Sequence, residues 1–315
     1  MLMDIVFIVL SLVLLYLGAQ WLVSGSAKLA EAFGIPQLVI GLTIVAFGTS
    51  SPELIVTITA SSQGQTGMAL GNVVGSNIMN ILLILGLTAV VSPVFVEKKI
   101  IRSDIPLLIV FSSLLMWILI NPELHSWEGF VLLGCLVLYA GWMFFNIRKD
   151  RQLLKANGGG KPGTRFSSSQ KWFFVFLVVV GLALLTVGSR LLVLGAVDIA
   201  RLMNVSETMI GLTVVSIGTG LPELATSAIA AMRKQTDIAV GNIVGSNIFN
   251  ILVIAGFSIS AYPAANSGIS LTDLLFMTGA AVLLFPLAYS GSTIRRAEGA
   301  LLLGLYVLYL FIIWP

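Results

Sequence analysis

The stretch from Gly41 to Gly86 reads GLTIVAFGTSSPELIVTITASSQGQTGMALGNVVGSNIMNILLILG, and the stretch from Gly211 to Gly256 reads GLTVVSIGTGLPELATSAIAAMRKQTDIAVGNIVGSNIFNILVIAG. The second repeats the first 170 residues later without a gap, and 25 of the 46 aligned pairs are identical. Each copy sets one carboxylate, Glu53 or Glu223, in an otherwise apolar run. An ionisable group at membrane depth is costly to keep and marks a functional position. Duplicated halves with a polar, Gly/Pro-interrupted segment in each are the pattern of a secondary transporter.

Composition points to the same class. The 315 residues are 57% apolar and 10% charged, with a mean hydropathy of +1.03, whereas an average soluble domain carries roughly 25% charged residues. The chain therefore reads as a polytopic membrane protein, placed in the cell (inner or plasma) membrane. At about 20 apolar residues per span, ten spans are expected near 2–23, 36–60, 67–91, 103–120, 127–147, 171–194, 206–231, 238–260, 270–289 and 296–314. The first lacks the basic start and small-residue cleavage site of a secretory signal and is read as a retained span.

Between the fifth and sixth spans lies RKDRQLLKANGGGKPGTRFSSSQ, Arg148 to Gln170, which is too basic and too rich in Gly and Ser to cross a bilayer. It divides the chain into halves, 1–147 and 171–315, joined by a flexible tether at 148–170. If that tether is cytoplasmic, 15 of the 17 Lys and Arg residues fall on its side of the membrane, and only Arg190 and Arg201 do not. This asymmetry follows the positive-inside rule and places both termini outside. Five spans, an odd number, separate the copies, so the repeats enter from opposite sides. The expected fold is an all-α polytopic membrane protein whose ten transmembrane helices form two inverted five-helix repeats, with broken helices at the centre.

The chemistry lies in the repeats. Proline withholds an N–H from the preceding helical turn, and glycine loosens the backbone. Gly48, Thr49, Ser50, Ser51 and Pro52 predict a break in the second span, and Gly218, Thr219, Gly220, Leu221 and Pro222 predict one in the seventh. Carbonyls near Ala46 and Thr49, and near Ser216 and Thr219, are expected to become free beside Glu53 and Glu223; irregular backbone at this depth is tolerated where it lines an enclosed cavity. The partner spans add Asn72, Ser76, Asn77 and Asn80, and Asn242, Ser246, Asn247 and Asn250. Ser76 and Asn80 are four apart, as are Ser246 and Asn250, so each pair shares a helix face. The result is an all-oxygen cage with two negative charges. Such a cage suits hard cations such as calcium, which takes about 6–8 oxygens; zinc and copper sites recruit His or Cys. Two charges balance one divalent or two monovalent cations, so competition for one cage is the elementary requirement of antiport.

Other residues carry less. His125 sits in a short outer loop, Cys135 is alone in an apolar run, and the six tryptophans fall near span ends, where they anchor at the interface. An intramembrane hydrolase using Ser50 or Ser51 would need a His or Lys base within reach; neither lies in a repeat core, and Ser50 becomes Gly220 in the second copy. A channel fits inverted halves less well than alternating access does. No cofactor, nucleic acid or obligate protein partner is called for. The expected partners are calcium and sodium ions and the lipid bilayer.

At GTSSPEL with GNVVGSN, and at GTGLPEL with GNIVGSN, the chain resembles the calcium/cation antiporter superfamily, most closely its prokaryotic sodium/calcium exchanger branch. The resemblance takes 41–91 and 211–261 as the two alpha repeats. It implies a core of spans two, three, seven and eight holding clustered cation sites, with spans one and six as a sliding gate. It further implies that Glu53 and Glu223 are the central calcium ligands, with the carbonyls of Thr49 and Thr219. The hydroxyls of Thr49, Ser50, Thr219, Ser76 and Ser246 and the carbonyls of Ala46 and Ser216 would form flanking sodium sites, and Asn80 and Asn250 would line the middle. Where close relatives often read GTSLPEL, Gly220 removes one hydroxyl from a sodium site. Where many archaeal relatives place Asp, Asn250 keeps an oxygen that cannot ionise. The expected activity is calcium exchange driven by a sodium gradient with net charge movement; the alternative is a proton- or potassium-coupled calcium exchanger using the same cage.

Overall fold

The computed structural model describes residues 2–121, 123–156, 166–202, 216–263 and 269–313. Its regular structure is helical apart from one two-residue ladder, because a chain in lipid must satisfy its backbone polar groups internally. The elements are α1 (Leu2–Phe33), α2 (Gln37–Thr49), α3 (Ser51–Ser62), α4 (Thr66–Val91), β1 (Val94–Phe95), α5 (Ile100–Ile120), α6 (Ser126–Ala156), α7 (Ser168–Leu202), α8 (Ser216–Thr219), α9 (Leu221–Met232), α10 (Thr236–Ala261), α11 (Leu271–Tyr289), β2 (Thr293–Ile294) and α12 (Arg296–Ile313). Strands β1 and β2 pair antiparallel, with Val94 opposite Ile294.

Among the described residues eight helices are long and apolar enough to cross a membrane, and nine if α2 and α3, bent by 46°, count as one span. Ten were expected. The difference is the seventh span, of which α8 and α9 are described while 206–215 lies outside the described residues. Three expected boundaries also move. Helix α1 runs on to Phe33, so Lys28 belongs to a helix and not a loop, and α7 extends to Leu202. Helix α6 continues to Ala156, so Arg148 to Ala156 is helical and not part of a flexible tether. That segment, RKDRQLLKA, is rich in strong helix formers, and nothing stops a helix where the hydrocarbon ends. Residues 157–165 of the expected tether lie outside the described residues.

Burial sorts the helices into layers. In α4 and α10, 78% and 89% of the best apolar window is buried, against 22–28% in α1, α6, α7 and α12. The two repeat helices are therefore the centre, and the others shield them from lipid. The packing is crosswise: α6 lies on α10, α12 lies on α4, and α5 meets α11. A matched clasp fastens the outer pairs. Tyr139 donates to Asp104 at 3.1 Å between α6 and α5, and Tyr309 donates to Asp273 at 2.9 Å between α12 and α11.

Helices α1 and α7 pack antiparallel along most of their length. Gly18 and Gly25 on α1 and Gly181 and Gly188 on α7 recur at intervals of seven residues. A Cβ at Gly18 would meet the Gly181 carbonyl oxygen at 2.9 Å, and one at Gly181 would meet the Leu22 nitrogen at 2.6 Å. Small residues thus bring the two backbones into contact. This pair leans to one side: α1 packs against α9, while α7 makes no comparable contact with α3 among the described residues. Arg233, just past α9, donates to the Gln20 carbonyl at 3.3 Å and to the Ser24 hydroxyl, tying α9 to α1.

Candidate cation-binding site

Both predicted breaks are present. Helix α2 ends at Thr49 and α3 begins at Ser51, with Ser50 between them at φ −81° and ψ 7°; Gly220 separates α8 from α9 at φ −87° and ψ 2°. Pro52 and Pro222 fall in the first turn after each break, where a missing N–H is tolerated. The carbonyl that loses its donor lies four residues before each proline, at Gly48, between Ala46 and Thr49, and at Gly218, between Ser216 and Thr219. Ala46 accepts from the Ser50 N–H at 3.0 Å and from the Thr49 hydroxyl at 3.3 Å, so its oxygen is engaged. The Gly218 carbonyl accepts from the Ser189 hydroxyl on α7 at 2.5 Å. Ser216 begins α8.

The cage is assembled across the two repeats. Glu53 and Glu223 are 2% and 0% exposed. Ser50, from the first repeat, donates to Glu223 of the second at 2.8 Å, and Ser246 approaches the same oxygen at 3.5 Å. Thr49 donates to the Asn242 side-chain oxygen at 3.0 Å. Asn72 and Asn242 fix the two breaks in the same way: each donates to its own repeat's Glu main-chain carbonyl at 3.4 Å and to a hydroxyl, Thr57 or Ser227, at 3.0 Å. Ser76 and Thr219 are buried within the repeats as well.

Asn80 and Asn250 stand where α4 and α10 widen into π-helix, over Asn80–Leu85 and Asn250–Ala255. Single π turns inside α-helices concentrate at functional sites. Asn80 donates to Asn247 at 3.2 Å, and Asn250 donates to Asn77 at 3.3 Å. One oxygen each of Glu53, Glu223, Asn80 and Asn250 is buried without a partner, as are the amide nitrogens of Asn77 and Asn247. Turning both amides of a pair together exchanges the two residues' roles and still leaves one amide oxygen over. Buried polar atoms are almost always satisfied, so four orphaned oxygens drawn from two repeats mark this place as the candidate site. Among the described residues no three His, Cys, Asp or Glu side chains gather to hold a metal. The orphaned cage oxygens beyond the two carboxylates are amide oxygens, and oxygen is the atom a hard cation accepts.

An apolar cavity of about 710 Å³ lies elsewhere. It is an apolar space walled by α1, α2, α6, α7 and α10, with Phe47, Leu182 and Phe249 on its lining. Four features were not read from the sequence: the crosswise pairing of the asparagines, the Ser189 contact, the Arg233 tie and the Tyr–Asp clasps. The clasps left a trace, since Asp104 with Tyr139 and Asp273 with Tyr309 recur 35 and 36 residues apart. The other three depend on how helices meet.

The family model described as sodium/calcium exchanger protein matches residues 3–145 and 173–314. The chain belongs to the sodium/calcium exchanger family. Its relatives there are membrane transporters and not enzymes. This exchanger-family chain is 31% identical to sodium/calcium exchanger MaX1 of Methanosarcina acetivorans, over 99% of this chain and 98% of that protein. It is 38% identical to inner membrane protein YrbG of Escherichia coli, over 81% of this chain and 79% of that protein. In structure it matches the sodium-calcium exchanger NCX_Mj soaked without sodium or calcium, with a TM-score of 0.86, 31% identity and coverage of 99% of both chains.

Proposed function

We propose that this protein is a secondary active antiporter that exchanges calcium for sodium, offering one oxygen cage alternately to the two sides of the membrane. The observation that carries this reading is the set of orphaned oxygens on Glu53, Glu223, Asn80 and Asn250, drawn from both repeats and joined by crosswise hydrogen bonds. A site shared between halves changes its exposure when the halves shift, and two carboxylates give it the charge to hold calcium or sodium in turn. The relatives named as sodium/calcium exchangers support the choice of ions.

The ten-span layout with inverted halves and outside termini is part of this proposal. With the basic linker cytoplasmic, the packing of α1 on α9 and the Arg233 tie seal the cytoplasmic side. The α1/α7 pair is the moving gate, and α4 and α10 are the fixed core. A second reading, in which potassium joins the exchange, has one observation in its favour. Over 92 residues, 29% of this chain and 8% of that protein, the chain is 39% identical to human sodium/potassium/calcium exchanger 1.

Calcium flux in proteoliposomes under sodium, potassium or proton gradients, imposed one at a time, distinguishes the couplings; the sodium gradient is expected to drive uptake. Glu53→Gln or Glu223→Gln is expected to lower uptake by about a hundredfold or more, since even residues that merely orient metal ligands cost about 10–100-fold when lost. Near-normal uptake by the doubly substituted, correctly inserted protein would end the shared-cage reading.

A further inference from the structure

The two copies of the break differ most at one pair of positions, Ser50 and its repeat mate Gly220, and the structure shows what stands in for the missing hydroxyl. Ser50 is fully buried and reaches across to Glu223 at 2.8 Å. By the repeat, residue 220 would reach across to Glu53 in the same way, but glycine has nothing to donate. One Glu53 oxygen is buried without a partner. The space is not open. A Cβ built at Gly220 would lie 2.0 Å from the terminal methyl of Met79, whose side chain is 3% exposed.

The repeat mate of Met79 behaves differently. Phe249 turns away from the cage, meets Phe47 edge to face at 5.2 Å and lines the apolar cavity. That leaves the ground around Ser50 to its hydroxyl. On one flank, then, the cage presents a hydroxyl oxygen beside a carboxylate; on the other it presents a methyl group. A methyl offers no lone pair, and a cation stripped of water there would lack a ligand.

Resting on the exchange reading above, we propose that Met79 and Gly220 together delete one monovalent-cation subsite of the cage, so that the protein exchanges two sodium ions for one calcium ion without net charge movement. Two carboxylates balance two sodium ions as they balance one calcium ion. A third sodium ion would need a further neutral-oxygen subsite, and the place for its hydroxyl at Gly220 is filled by Met79. This replaces the charge-moving exchange expected from the resemblance alone.

The test is a flux-reversal measurement in proteoliposomes at clamped voltage, finding the calcium gradient that a given sodium gradient just balances. For the wild-type protein the balancing calcium gradient is expected to follow roughly the square of the sodium gradient and to be unchanged when the voltage is stepped, by the linkage of transported charge to voltage. In Met79→Ala/Gly220→Ser, which clears the methyl and restores the hydroxyl, it should follow roughly the cube and shift with voltage. A wild-type cube, or a transporting double variant that keeps the wild-type exponent, overturns the proposal. If the double variant does not transport, Ser50→Gly reads the same question from the other flank. It should lower the wild-type exponent by about one, since it takes the hydroxyl from the flank that still carries one, and an unchanged exponent overturns the proposal. A wild-type protein with no sodium-driven calcium flux would instead refute the exchange reading itself.

Discussion

The break at Ser50 and the break at Gly220 share a backbone and divide the work. Their dihedral angles agree within about 6°, and Asn72 and Asn242 brace them with the same bonds at the same distances. Around this common frame the attachments differ. The first break sends a hydroxyl into the cage. The second has no side chain at Gly220 to match Ser50, and its freed carbonyl at Gly218 is held by Ser189 of α7; the repeat position of Ser189 is Ala19, which has no hydroxyl. One copy thus reaches the other repeat's carboxylate through Ser50, and the other is attached to the α1/α7 pair through Gly218. A duplicated motif conserves the scaffold that makes a break and leaves the side chains on either side of it open to separate uses.

The sharpest way to break this comparison is Ser50→Ala against Gly220→Ala. Losing Ser50 takes a 2.8 Å donor from Glu223 and is expected to weaken calcium affinity about tenfold, the low end for residues that orient metal ligands. Gly220→Ala removes no ligand and meets the flexible end of Met79, so affinity should change by less than about twofold by the same measure. Isothermal titration with calcium on the purified protein reads both, and equal losses would erase the distinction between the breaks.

Ser189→Ala comes next. It leaves the Gly218 carbonyl without its α7 donor, a loss of about 1 kcal/mol for one hydrogen bond. Because that bond ties the α1/α7 pair to the second repeat, spin-label distances between α7 and α9 should broaden while calcium affinity stays near wild type. Unchanged distances would make Ser189 a packing residue only.

The smallest effect compares the clasps. Tyr139→Phe and Tyr309→Phe each remove one hydrogen bond to an aspartate, and Asp104 is 3% exposed whereas Asp273 is only half-buried. Thermal melting in detergent should show a larger loss for Tyr139→Phe, about 1–2 kcal/mol, than for Tyr309→Phe, about 0.5–1 kcal/mol, because an aspartate cut off from water has less to replace the lost bond.

What could be read from the chain beforehand was whatever contrasts with an apolar background. Glu53, Glu223 and the asparagines stand out because polar groups at membrane depth are rare, and the breaks stand out because Gly and Pro carry a local backbone meaning. Asp104 escaped notice because it sits at an expected span end, where an acid is ordinary. Met79 escaped because a methionine in a span is usual; only the turn of its side chain toward Gly220, opposite to that of Phe249, gives it a role. The extent of α1 and α6 past the expected ends was hidden by a template set to the bilayer, since helix propensity continues where hydrophobicity stops. The freed carbonyls at Gly48 and Gly218 follow from simple counting, as proline strips the donor from the residue four back.

The glycine contacts between α1 and α7 have a mechanical meaning for the proposed exchange. With the backbones touching at Gly18 and Gly181, neither helix can slide far without carrying the other. A single bolt then serves two doors, and drawing it from one frame drives it into the opposite one. A carrier built this way needs no signal from one gate to tell the other to shut, and a leak would require the bolt itself to split along its length.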